Sequence, residues 1–310
     1  MPDNLLHNQI YHSDCLTFLR SLPDNCVDVS FADPPFSLKK KYSTYKDNPK
    51  EADYLAWCKD WITEMVRVTK PTGSILLHNI PKWLTHYAGF LNTQADFLHW
   101  IAWDAGSTPR GKKLFPTHYG ILLYAKDKKQ HKFYEVRMPH KRCRKCLYLQ
   151  KDYGGKKKGL HPFGPLIGDV WTDLHRVKHA GKRDKHPCQL PYPLLERIIL
   201  MCSDEGNIIL DPFMGTGTTA ICAKKLGRVY LGSDLDLNYL KIANEKLSKT
   251  QSDSSLNGIW VSQYLGRVAT LRDRDWKALA GLYDVPEDIT AVDREEIDFR
   301  SVEETLFDVS

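Results

Sequence analysis

The stretch from Asn207 to Asp236, NIILDPFMGTGTTAICAKKLGRVYLGSDLD, leaves few folds open. An apolar run (Ile208 to Leu210) leads into a glycine loop. A helix-patterned stretch (Thr216 to Leu226) and a second apolar run (Val229 to Gly232) follow. The loop, Gly215-Thr-Gly217-Thr-Thr-Ala220, fits the pattern G-x-G-x-x-G/A. It leaves a buried strand and opens a helix, the setting in which that pattern binds a nucleoside. Asp234 closes the next strand, 19 positions after Gly215. A carboxylate there can accept both hydroxyls of a ribose. No Gly-Lys-Ser/Thr follows at the required spacing, so this is not a phosphate-cradling P-loop.

The same alternation runs through most of the chain. Gln9 to Ser13, Val27 to Phe31, the end of KPTGSILLHNI, Phe97 to Trp103 and Tyr119 to Tyr124 read as strands. Cys15 to Leu22, Asp53 to Val68, Pro191 to Cys202 and Leu237 to Leu247 carry helical spacing. The pattern predicts an α/β fold with a mostly parallel sheet covered by helices. At 310 residues and 42% hydrophobic, the chain can bury a sizeable core. No apolar run approaches the roughly 20 residues that span a membrane. The N-terminus lacks a charged start followed by an apolar stretch, so no signal peptide is expected. Cys15, Cys26, Cys58, Cys202 and Cys222 sit singly among apolar neighbours and read as reduced thiols, which points to a cytoplasmic protein.

The nucleoside at the glycine loop could belong to a nicotinamide dinucleotide or to S-adenosylmethionine. Asp211 and Phe213 tilt the choice. A carboxylate at the loop entrance would repel a pyrophosphate and welcome a cationic sulfonium bearing a free amino group.

A second motif lies some 180 residues earlier, in FADPPFSLKK (residues 31 to 40). The apolar run ends in Asp33, two prolines and a ring, and prolines cannot continue a strand ladder. Methyl transfer to an exocyclic amino group gives these residues a task. The nitrogen lone pair is delocalised into the base, so the group is a poor nucleophile. Two acceptors against its N–H bonds would push it toward tetrahedral geometry. The Asp33 carboxylate can supply one and the Pro34 carbonyl the other, held still by the fixed φ of Pro34 and Pro35. Phe36 would stack on a base flipped out of its helix.

Asp33-Pro34-Pro35-Phe36 with Asp211-Pro212-Phe213-Met-Gly215-Thr-Gly217-Thr218-Thr219 resembles the amino-group DNA methyltransferases that use S-adenosylmethionine. The tetrapeptide comes first and the glycine loop last, as in the circularly permuted β group. The resemblance covers roughly residues 5 to 248. It implies a Rossmann-like methyltransferase fold, a seven-stranded sheet with helices on both faces, base flipping and often a homodimer. It implies double-stranded DNA as partner and fits a restriction–modification system with a cognate restriction endonuclease. The aspartate matching Asp14 faces the cofactor adenine in that family, and Cys15 follows it. HPCQLPYPLLERII resembles the segment that helps hold the methionine part, although Leu190 stands where the family commonly has lysine. Aspartate in the tetrapeptide favours adenine N6; cytosine N4 stays open. A nicotinamide-dependent oxidoreductase using the same loop leaves Asp33 to Phe36 unexplained. Pro187-Cys188-Gln189 mimics the nucleophile of cytosine C5 enzymes, but Cys188 precedes a helix-patterned segment rather than closing a strand.

The resemblance divides the chain into a catalytic half (1–126), a basic target-recognition insert (127–185), a cofactor half (186–249) and an acidic appendage (250–310). The chain's net charge of +6 is uneven, with 13 acidic against 6 basic residues from Thr250 onward. The insert is dense in lysine and arginine, the footprint of a polyanion. Lys156, Lys157, Lys158, Lys182 and Arg183 there, with Lys39, Lys40 and Lys41 beside the catalytic motif, are candidate phosphate contacts. Cys143 and Cys146 form a lone CxxC that His140 or His161 could extend into a zinc site; two reduced cysteines in a basic loop are the alternative.

Overall fold

The computed structural model describes residues 8–37, 50–105, 117–136, 166–174, 176 and 189–250. The chain divides into two units. One joins Met1–Phe133 to Asp169–Ser252; the other joins Tyr134–Gly168 to Asp253–Ser310. The described part of the second is short and includes one backbone bond, from the Ile167 amide to the Val136 carbonyl (3.0 Å). Residues 251–310, all of the acidic appendage after Thr250, lie outside the described residues.

The first unit is built on β1 (Gln9–His12), α1 (Cys15–Ser21), β2 (Val27–Ala32), α2 (Glu51–Val68), β3 (Thr69–Asn79), α3 (Pro81–Leu91) and β4 (Asp96–Asp104). It continues with β5 (His118–Ala125), β6 (Val170–Trp171), α4 (Tyr192–Cys202), β7 (Ile208–Asp211), α5 (Thr218–Lys225), β8 (Val229–Asp234) and α6 (Leu237–Lys249). The strand order is β1-β8-β7-β2-β3-β5-β4-β6, and only β5 runs antiparallel to its neighbours. Among the described residues the sheet therefore has eight strands where the resemblance implied seven. The extra one is the two-residue β6, held on β4 through Ala102 and Trp103. It falls inside the basic insert, where glycine, lysine and proline hide any alternation. Trp171 anchors it: its ring is buried under the guanidinium of Arg197 (4.8 Å), which is itself paired with Asp173.

One core joins α1, α2 and α3 to the sheet through Phe18, Leu19, Trp61, Ile62, Met65, Leu84 and Tyr87, against Leu77, Leu122 and Leu231. Val29, Phe31, Leu76, Leu123 and Ile209 are also buried, outside that cluster, and α4 packs on β2 while α5 packs on β7 and β8. Strands buried on both sides explain the near-continuous apolar runs of β2 and β7.

Two elements differ from the sequence reading. KPTG was expected to be a turn before β3, but β3 begins at Thr69, directly after α2. The irregularity is absorbed as a register shift: Val27 pairs with Thr69 and Val29 with Ser74. Gly73 sits in that shift because a Cβ there would lie 2.6 Å from the Asp28 carbonyl oxygen. Helix α3 was not anticipated. Its proline occupies the first helical position, which suits a helix, and Trp83, Leu84, Tyr87 and Leu91 share its buried side.

Gly232 shows how tightly β8 abuts the glycine loop. A Cβ there would lie 2.4 Å from the Asp211 carbonyl oxygen and 2.3 Å from Met214 Cε. The backbone oxygen belongs to the paired strand and cannot retreat. Gly232→Val is expected to cost about 3 kcal/mol in chemical denaturation. A variant as stable as the wild type would show that the two strands can part.

Candidate active site

The C-terminal ends of β2, β7 and β8, with the start of α1, open onto one cleft of about 220 Å³. Ligands of open parallel sheets sit at such strand ends. Asp33, Pro34, Pro35 and Phe36 line it from β2. Asp211, Pro212, Phe213, Gly215, Thr218 and Thr219 line it from the glycine loop, and Asp14, Cys15 and Asp234 complete the expected set. The two motifs thus share a single cavity. Gln189 and Leu190 line it too, while sequence reasoning missed Trp57, Asp236 and Tyr239. Trp57 carried only a helical-core signal, and its ring stands edge-on to Phe213 at 5.7 Å.

Gly217 is the exception among the expected cofactor residues, since it does not line the cleft. It caps α5 with φ +87°, and a Cβ there would come within 2.8 Å of Ala243 Cβ on α6. Its task is close packing in a left-handed conformation that glycine alone adopts cheaply.

The carboxylates of the cleft are individually anchored. Asp14 caps α1, accepting the Leu16 and Thr17 amides at 3.1 and 3.0 Å. Burial raises its pKa, but the hydrogen bonds from Thr17 and Leu16 outweigh this, and it lies below the ordinary carboxylate value. Asp234 accepts the Gly215 amide (2.8 Å) on one oxygen and the Asp236 amide (2.8 Å) on the other. A ribose would therefore share each oxygen with a backbone donor, using the second lone pair of each. Burial pushes Asp234 upward.

Asp211 is 2% exposed. It accepts Thr219 Oγ1 at 2.6 Å and the Phe213 amide at 2.9 Å. Burial lifts its pKa to about 7 against those bonds, with the charges of Asp33 and Asp234 adding to the rise. The folded, ligand-free protein then holds a proton on Asp211 that the unfolded chain has lost. The associated stability is full below the ordinary value near 4 and falls as pH rises to about 7. Urea titrations across this window should show wild-type stability falling by on the order of 1 kcal/mol per pH unit relative to Asp211→Asn. Parallel pH profiles for the two proteins would count against this assignment.

Asp33 Oδ1 accepts His78 Nδ1 at 2.7 Å. His78, on β3, is 2% exposed and ringed by Phe36, Trp103 and Tyr119 at 5.4 to 5.6 Å. The carbonyls of Pro35 and Phe36 accept Tyr54 Oη (2.6 Å) and Trp83 Nε1 (2.7 Å). None of these partners was singled out as a site residue from sequence. The string LLHNI offered only a histidine at a strand end.

Lys39, Lys40, Lys41, Lys156, Lys157, Lys158, Lys182 and Arg183 lie outside the described residues, as do His140, Cys143, Cys146, His161 and Cys188. Among the described residues no group of three or more His, Cys, Asp or Glu side chains could hold a metal ion. No described helix is long and apolar enough to cross a membrane. Cys15, Cys26, Cys58, Cys202 and Cys222 form no disulfide.

A mixed α/β sheet with a glycine loop and an Asp-Pro-Pro-Phe strand end at one cleft defines a Rossmann-like methyltransferase fold. Residues 27–245 match the family model described as DNA methylase, the N6/N4 methyltransferases, and the chain belongs to this family. It is 38% identical to the Type II methyltransferase M.BamHI of Bacillus amyloliquefaciens, over 81% of this chain and 59% of that one. It is 34% identical to the Type II methyltransferase M.HpaI of Haemophilus parainfluenzae, over 79% of this chain and 74% of that one. The chain thus spans less than two thirds of M.BamHI. Among solved structures, the M1.HpyAVI–SAM complex has the same fold, with a TM-score of 0.52 and 22% identity, over 77% of this chain and 98% of that one.

Proposed function

We propose that the chain transfers the methyl group of S-adenosylmethionine to the exocyclic amino group of a flipped DNA base, adenine N6 by the reading of Asp33. The observation that carries this is the convergence of both motifs on one cleft. Its charge supports the choice of donor. Among the described residues five carboxylates line it (Asp14, Asp33, Asp211, Asp234, Asp236) and no lysine, arginine or histidine does. That surface suits a sulfonium with a free amino group and would repel the pyrophosphate of a nicotinamide dinucleotide.

S-adenosylmethionine supplies an electrophilic methyl group, whose bond to sulfur breaks as the bond to nitrogen forms, leaving a neutral thioether. The chain supplies the rest. Asp14 and Asp234 would hold the adenosine portion, and Asp211 the methionine amino group. Asp33 and the Pro34 carbonyl would accept the two N–H bonds of the target, freeing its lone pair; as the nitrogen gains the methyl, the proton it loses would pass to the Asp33 carboxylate and from there to solvent. Phe36 would hold the base. Rate arises from positioning and fixed acceptors rather than from a covalent intermediate. The lysine clusters would meet phosphates, and the likeness to Type II methyltransferases supports a role in a restriction–modification system. The cytoplasm, where such DNA lies, is the expected location.

Nucleoside mass analysis of unmethylated DNA incubated with the protein and S-adenosylmethionine tests the choice of base. N6-methyladenine is the expected product. N4-methylcytosine would keep the amino-group chemistry and correct the base, whereas methylation of a ring carbon would overturn the reading.

A further inference from the structure

We propose that a buried chain of donors, Asn79 to Tyr87 to Tyr54, acts with Trp83 and His78 as a clamp that decides which acceptors of the Asp33–Phe36 loop meet the substrate. This rests on the methyl-transfer reading above and assigns positioning residues to it. The direction of the chain follows from counting protons. The Asn79 side-chain oxygen accepts the Ile80 amide at 2.8 Å, which turns its NH₂ toward Tyr87 Oη at 3.3 Å. Tyr87 Oη and Tyr54 Oη are 2.9 Å apart. Tyr54 has one hydroxyl proton, and the Pro35 carbonyl 2.6 Å away can only accept. Tyr54 therefore donates to Pro35 and must receive its own bond from Tyr87. Tyr87 in turn accepts from Asn79, with Cys58 Sγ also in reach at 3.3 Å. Each proton has one destination, and the chain ends on the catalytic loop.

The remaining clamps follow the same logic. Trp83 Nε1 is a donor only and takes the Phe36 carbonyl. His78 Nδ1 donates to Asp33 Oδ1. Tyr54, Tyr87, Asn79, Trp83 and His78 are each at most 3% exposed, so water does not compete for these bonds. Burial also drives the Tyr54 and Tyr87 phenols far above their ordinary pKa, which keeps them protonated donors. Three oxygens of the loop are thereby each engaged and fixed in direction by a buried donor: Asp33 Oδ1, the Pro35 carbonyl and the Phe36 carbonyl. Asp33 Oδ2 and the Pro34 carbonyl have no donor among the described residues. They are the two acceptors that an amino group with two N–H bonds requires, and the buried clamp is what leaves them for it.

Two measurements on Tyr54→Phe, which deletes one hydroxyl and opens no large cavity, test this. In protein labelled with ¹³C at proline carbonyls, the Pro35 resonance should move and the Pro34 resonance should stay. Single-turnover methyl transfer should slow about 10- to 100-fold, with the dissociation constants for S-adenosylmethionine and DNA unchanged. His78→Asn, whose amide can donate from the place of Nδ1, should retain most activity, while His78→Leu should lose it. An unmoved Pro35 resonance would overturn the clamp, as would equal activities of the two His78 variants in an active background. The carbonyl shift needs no methyl transfer, so a wild-type protein that transfers nothing would fail the functional reading and leave the clamp testable by this shift. Should Tyr54→Phe not fold, Tyr87→Phe, which removes the donor to Tyr54, is expected to move the same resonance by less.

Discussion

Asp33→Ala should abolish most methyl transfer while leaving the cofactor bound. In the proposed mechanism Asp33 would contribute one of two acceptors aimed at the amino group, and fixed acceptors of this kind are worth about 10²- to 10³-fold in rate. A loss of that size in kcat is expected, with the S-adenosylmethionine dissociation constant changed by less than about 10-fold, because in the proposed site Asp14, Asp211 and Asp234 would also hold the donor. The change also strands His78, whose Nδ1 loses its only acceptor among the described residues in a site that is 2% exposed. A buried donor left unmatched costs about 1–3 kcal/mol, so stability should fall modestly. Asp33→Asn separates the two effects. Its side-chain oxygen can still accept from His78, yet its NH₂ faces the substrate as a donor where an acceptor is needed. It should fold like the wild type and remain slow. A fast Asn variant would show that acceptance by the carboxylate is not what activates the amine.

The second large effect belongs to Trp61. Its ring is fully buried on α2, 5.3 Å from Phe213, 5.8 Å from Tyr87 and 6.1 Å from Trp57, with near-perpendicular contacts to the first two. It therefore supports the Tyr87 donor on one side and the wall of the cofactor cleft on another. Trp61→Ala should lose about 3–5 kcal/mol in denaturant titration, from lost burial and the cavity left behind. S-adenosylmethionine affinity should fall in the same variant, because Phe213 loses the edge that fixes it. Trp61→Phe fills most of the volume and should recover most of both. A Trp61→Ala protein that loses stability but binds the donor normally would separate the core from the cleft.

How far the sequence foretold this site depends on the kind of residue. Asp33 to Phe36 and Asp211 to Thr219 were legible because prolines and glycines at strand ends have few uses, and their chemistry is local. The strands and most helices were legible from period. The supporting donors were not. Tyr54, Trp83 and His78 reach the loop from 19 to 47 residues away in sequence, and each sits in a pattern that core packing alone explains. Only the fold reveals that the polar edge of each buried ring is aimed at one short loop. Gly217 illustrates the converse. The motif suggested a cofactor contact, but the space it leaves is filled by Ala243 of α6, a long-range fact no local pattern carries. Asp234 lines the cleft, while its two backbone donors were invisible until β8 and the loop were seen together.

The most direct test of the central claim, that the two motifs build one site for donor and acceptor, is methyl incorporation from radiolabelled S-adenosylmethionine into unmethylated DNA. It should be run on the wild type, Asp33→Ala and Asp211→Ala, with donor binding measured alongside. The account predicts label on an exocyclic amino group with the wild type. It predicts a bound but untransferred methyl with Asp33→Ala, and weakened donor binding with Asp211→Ala. Absence of incorporation by the wild type into any DNA, or wild-type incorporation by Asp33→Ala, would contradict it.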